Sequence, residues 1–137
     1  MTGRFGIERD LVIVVCAVSA GIHGVLVPEH LEESAAAGLG FAAATALLAV
    51  LAVWLTLGRG TLELVAATAV LAGLLASYGL AITTGFPLLH PGRETVDALA
   101  LATKAVELVG LATAVHLLLR GRLRFALSTP RPKGTTT

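Results

Sequence analysis

Charge is scarce in this sequence: Lys, Arg, Asp and Glu make up 14% of its 137 residues, and the formal net charge is +1. So even a balance offers no basic field for nucleic acid, and a 4% aromatic content leaves little for bases to stack on. Nucleic acid is therefore set aside as a partner. The single cysteine, Cys16, excludes an internal disulfide and any multi-cysteine metal site. It lies in an apolar run, where a thiol ordinarily serves as a small packing residue. There is no HExxH pattern, no phosphate-binding glycine loop and no nucleophile with a base at recognisable spacing, so an enzyme is the less favoured class.

Apolar residues fill the space that charge leaves. Hydrophobic residues account for 55% of the chain and the mean hydropathy is +0.85, outside the range of water-soluble domains. About 20 apolar residues at 1.5 Å each cross a hydrocarbon layer of roughly 30 Å. Four such segments are expected near residues 9–27, 34–58, 63–84 and 95–119, forming an all-α, four-helix bundle integral to a membrane over residues 1–126. Pro28 is expected to end the first helix, and Gly85, Pro87, Pro91 and Gly92 the third. Residues 127–137, polar and proline-containing, are expected to form a disordered cytoplasmic tail. A competing reading of the first segment is a signal peptide cleaved after Val18-Ser19-Ala20, disfavoured because the apolar run continues to Val27.

Basic residues set the expected orientation, since Lys and Arg stay on the cytoplasmic side of short loops. Arg4 and Arg9 precede the first span, Arg59 lies between the second and third, and Arg120, Arg122, Arg124, Arg131 and Lys133 follow the fourth. Both termini are then cytoplasmic, with PEHLEES and GFPLLHPGRE outside. Small residues four apart, Ala17 and Gly21, Ala20 and Gly24, Ala69 with Gly73 and Ser77, and Gly110 and Ala114, predict close helix packing. Trp54 suits an interfacial position. The preponderance of Ala, Gly, Leu and Val, and of Arg over Lys, resembles usage in GC-rich bacterial genomes, and a multi-pass protein of a bacterial plasma (inner) membrane is expected.

The polar residues stand out against this background. His23, His30 and His90 are expected on the outer side with Glu29, Glu32, Glu33, Glu94 and Asp97. Acids in the first turn of a helix are favoured by its dipole, which alone accounts for the carboxylates. It does not account for the imidazoles, and the set His23, His30, His90, Glu94 and Asp97 is the candidate site for a divalent transition metal such as Zn, Cu, Ni or Fe, or for protons. His23 and His30, seven residues apart, would share a face of a continuous helix, but Pro28 argues against continuity. His116, near Arg120, suits the opposite interface, so His23 and His116 could not share a haem iron.

Lys104 and Glu107 fall in the middle of the fourth span, where a charge facing lipid costs about 2.5–3.5 kcal/mol. Three residues apart, they are expected to pair on a face that Asp97 shares, turned into the bundle. They serve either as an intramembrane ion pair that fixes helix register, with hydroxyl partners among Ser77, Tyr78, Thr83 and Thr84, or as a proton relay.

At HGVLVPEHLEE, TGFPLLHPGRETVDALA and ATKAVELV the chain resembles a group of small four-span bacterial membrane proteins without an assigned activity. The resemblance covers most of the apolar region and implies the four-helix architecture. The expected function is binding or passage of a divalent metal or protons through an extracytoplasmic His and carboxylate pocket. The alternative is a non-catalytic accessory or assembly subunit of a larger membrane complex. The lipid bilayer is a partner in either case, with a second copy or a complex subunit required for a full transport cycle.

Overall fold

The computed structural model describes the backbone of residues 2–85 and 96–128 and the side chains of 6–85 and 96–123. Four helices account for nearly all of it: α1 Thr2–Glu33, α2 Ala35–Leu57, α3 Leu62–Thr83 and α4 Ala98–Ser128. Each contains an apolar stretch able to cross a membrane: Gly6–Glu33, Ala35–Leu57, Leu62–Thr83 and Ala98–Leu123. The shortest, 22 residues, spans about 33 Å.

The helix ends follow local chemistry. Ser34 caps α2, its hydroxyl accepting from the Ala37 amide at 3.0 Å. Gly85, at φ 70°, closes α3 in a left-handed conformation that a side chain would resist. Asp97 Oδ1 accepts from the Ala100 amide at 2.6 Å and so caps α4. The α2 carboxyl end is held from across the bundle, because the Arg9 guanidinium donates to the carbonyls of Leu55 at 3.1 Å and Gly58 at 2.7 Å.

One expected helix end is corrected. Pro28 does not end α1, which runs through it to Glu33. Proline lacks the amide that would bond the Gly24 carbonyl, but one missing bond is tolerated where neighbouring helices support the segment. The break comes instead at Ser34, so α1 and α2 form a hairpin with a single residue between them. Consequently Glu29, Glu32 and Glu33 are exposed at the carboxyl end of α1 and do not form the first turn of α2. The dipole of their own helix disfavours them there. At the other end of the chain α4 is described as far as Ser128.

Neighbour contacts run α1 with α2, α2 with α3, α3 with α4 and α4 with α1, so the helices close a ring. The amino end of α1 meets the carboxyl ends of α2, through Arg9, and α4, through a Glu8–Arg120 ion pair at 3.7 Å. This end carries Arg9, Arg59, Arg120 and Arg122. Its interior holds an apolar core of Val12, Val15, Cys16, Leu48, Leu51, Leu55, Leu64, Ala67, Leu71, Ala114 and Leu117, with the buried Glu63 at the start of α3. Large apolar side chains also point outward all round the bundle, Val25 and Leu57 at 80% and 79% exposure among them, as expected where the surroundings are hydrocarbon.

The small-residue stripes divide. Gly110 and Ala114 are buried, and a Cβ on Gly110 would lie 2.5 Å from Val15 Cγ1, so α1 and α4 approach closely there. Ala20 is buried and Gly24 faces Thr45. Ala17 with Gly21, and Ala69 with Gly73 and Ser77, face outward. Periodicity showed that these residues share a face, without showing which way the face turns.

Candidate functional site: a buried Ser, His, Lys and Glu cluster

Above the apolar core, halfway along the bundle, the interior becomes polar. Ser19 and His23 face inward one turn apart on α1, at 0% and 6% exposure. Thr103, Lys104 and Glu107 face them from α4, and Glu107 is fully buried. His23 lies ten residues from the end of α1 and Glu107 nine residues from the start of α4. At 1.5 Å per residue both lie about 15 Å in, which is why they meet.

Glu107 is the hub. Its Oε2 accepts from Lys104 Nζ at 2.7 Å and its Oε1 accepts from Ser19 Oγ at 2.6 Å, both in the range of charge-assisted hydrogen bonds. His23 Nε2 stands 3.9 Å from the same Oε1. The other imidazole nitrogen, Nδ1, is 2.9 Å from the Ser19 carbonyl, which can only accept, so Nδ1 carries the hydrogen. A neutral His23 therefore presents the bare lone pair of Nε2 to a carboxylate oxygen, and a proton added at Nε2 would lie between them. Lys104 Nζ also sits 5.5 Å from the centre of the Tyr78 ring on α3, within cation–π range.

The structure brings together three residues expected to matter: His23, Lys104 and Glu107. It places His23 deeper than expected, because α1 continues past Pro28. His30 lies on the same face of α1, as a continuous helix requires, but seven residues and about 10 Å further out. Its Nδ1 donates to the Leu26 carbonyl at 2.9 Å and its ring stacks on Phe41 of α2 at 3.7 Å. Phe41 also contacts the His23 ring, at 5.4 Å, and so stands between the two imidazoles. Asp97 is exposed and engaged in capping α4. His90 and Glu94 lie outside the described residues. Among the described residues no group of three or more His, Cys, Asp or Glu side chains is placed to hold a metal ion.

The hydroxyl partner of Glu107 is not on α3. Thr83 and Thr84 bond back to the carbonyls of Gly79 and Leu80 in their own helix, Ser77 is exposed, and Tyr78 contributes its ring face. Ser19 supplies it. The signal was available: Ser19 is the only hydroxyl between Leu11 and Val27 and stands four residues before His23, on the same face.

The described residues form four helices, each long and apolar enough to cross a membrane, with large apolar side chains on their outer faces. No protein-family model matches the chain, and no curated protein and no solved structure matches it. Any reading of function therefore rests on the chemistry of the cluster.

Proposed function

We propose that this is a small bacterial plasma-membrane protein, both termini cytoplasmic, whose His23–Glu107 pair binds a proton taken from the extracytoplasmic side. The observation that carries the proposal is the facing of His23 Nε2 and Glu107 Oε1 at 3.9 Å, with Nδ1 already committed to the Ser19 carbonyl. Protonation at Nε2 converts an unfavourable lone-pair contact into an ion pair inside a low-dielectric interior. Lys104 balances the carboxylate charge from its other oxygen, Ser19 holds Oε1 in place, and the rings of Phe41 and Tyr78 close the remaining sides.

Access is one-sided. Lys104 lies one turn nearer the His30 end than Glu107 and its side chain is 16% exposed. Towards the arginine-bearing end the interior is apolar from Val15 to Val12 on α1 and from Ala114 to Leu117 on α4. Protons therefore load from the outer side, and passage to the inner side requires rearrangement of that core. The proton reading is preferred to the divalent-metal reading because His23 and His30 are separated by Phe41 and Asp97 is engaged in capping.

Infrared difference spectroscopy on reconstituted protein tests the proposal, scanned over about pH 5–8, the window in which imidazole ordinarily titrates. The wild type should show a reversible change in carboxylate and imidazole bands that disappears in Glu107→Gln and His23→Gln. A spectrum without any change that depends on these two residues would refute it.

A further inference from the structure

A groove of about 560 Å³ opens between α3 and α4 at the arginine-bearing end, remote from the polar cluster. Its walls are Val65, Val115, Leu118 and Leu119, and its mouth is formed by Thr61 at the start of α3 and Arg122 on α4. The volume falls in the range of roughly 300–1,000 Å³ typical of small-molecule sites. Lipid chains meet every outward face of a membrane bundle, so apolar walls alone distinguish nothing. The charge at the mouth does.

Two of the arginines at this end already have partners. Arg9 is bonded to the carbonyls of Leu55 and Gly58, and Arg120 is paired with Glu8. Glu63 is buried, its Oε1 accepting from the Gly60 amide of the α2–α3 turn at 3.3 Å and its Oε2 without a hydrogen-bond partner among the described residues. Arg122, at the groove mouth, makes no ion pair among the described residues. A second groove, of about 220 Å³ and lined by Ile13, Ala52, Val53, Thr56 and Leu57, has no basic residue.

We infer that the α3–α4 groove is a binding site for an anionic phospholipid, its phosphate held by Arg122 beside Thr61 and an acyl chain lying along Val65, Val115, Leu118 and Leu119. The apolar trough and the Arg122 guanidinium at its mouth match the two ends of such a molecule, and anionic lipid is enriched where basic residues face the cytoplasm. The site is independent of proton binding at His23 and Glu107.

Native mass spectrometry of delipidated protein, titrated with phosphatidylglycerol or phosphatidylcholine, tests this. The wild type should take up phosphatidylglycerol in preference to phosphatidylcholine. Arg122→Ala should weaken phosphatidylglycerol binding about 5-fold, the effect of one basic residue at a membrane surface, while leaving phosphatidylcholine unchanged. Val65→Trp, which fills the groove, should remove the bound lipid, and Val53→Trp, which fills the uncharged groove, should not. Equal uptake of both lipids by the wild type, or indifference to Arg122→Ala, would overturn the inference. So would a dimer that Val65→Trp abolishes, because the groove would then be covered by a second copy.

Discussion

Removing Lys104 should harm the protein more than removing its partner. Lys104→Met keeps the length of the side chain and deletes its ammonium group. Glu107, fully buried, would retain the Ser19 hydroxyl at 2.6 Å on Oε1 but lose its cation on Oε2. Breaking a buried pair from one side typically destabilises by about 3–5 kcal/mol, because the remaining charge cannot be solvated. Glu107→Gln leaves the opposite remnant in a better position. Lys104 is 16% exposed, its stem can carry the ammonium towards the outer end, and the Tyr78 ring remains 5.5 Å away. A loss of about 1–2 kcal/mol is expected, near the upper end of what single polar contacts contribute between membrane helices. The double variant Lys104→Met/Glu107→Gln has no charge to strand, and the introduced amide oxygen still accepts from Ser19. It should lie within about 1 kcal/mol of the wild type.

The assay is reversible unfolding of detergent-solubilised protein by sodium dodecyl sulfate, followed by circular dichroism, on the four members of the cycle. The expected signature is an asymmetry, Lys104→Met worse than Glu107→Gln, with recovery in the double variant. A Lys104→Met loss below about 1 kcal/mol, or a double variant as unstable as the sum of the singles, would show that Glu107 is not the buried hub described above.

Gly110→Ala should destabilise by about 1–3 kcal/mol, because the added methyl meets Val15 in the α1–α4 contact, while Gly73→Ala, on an open face, should not; thermal unfolding in detergent distinguishes them. Arg9→Ala should lower stability by about 2 kcal/mol by releasing the carbonyls at the carboxyl end of α2, and amide exchange should rise first around Leu55 to Gly58. In a Cys16→Ala background, Glu32→Cys should react with a membrane-impermeant maleimide from outside the cell, and Arg59→Cys only after permeabilisation; both positions are exposed, and the reverse pattern would overturn the orientation.

Helix number and type were legible because the signal was long-range in composition: four apolar runs of spanning length, charged in the middle only at Lys104 and Glu107, with Gly and Pro at the α3 end. Pro28 misled because its local rule, that proline ends a helix, was taught by helices in water. Here α1 packs along α2 and α4, and that packing outweighs one missing hydrogen bond. The orientation of the small-residue stripes was illegible for a related reason. In a soluble helix the polar face marks the outside, but α3 is apolar on every side, so the outward turn of Ala69, Gly73 and Ser77 had no sequence counterpart.

The site was half legible, and the division follows chain distance. Lys104 and Glu107 are three residues apart on one helix, so helical geometry alone predicts their pairing. The contact of Glu107 with Ser19 joins residues 88 positions apart and depends on the depth of α1 against α4. That depth was set one turn and more too shallow by ending α1 at Pro28. Extending α1 to Glu33 carries His23 from the expected outer rim to the level of Glu107, and this displacement changes the chemistry. An imidazole at the rim, among solvated carboxylates, is a metal-ligand candidate. The same imidazole, 3.9 Å from a fully buried carboxylate that Lys104 and Ser19 also contact, is the arrangement on which the proposed proton binding rests.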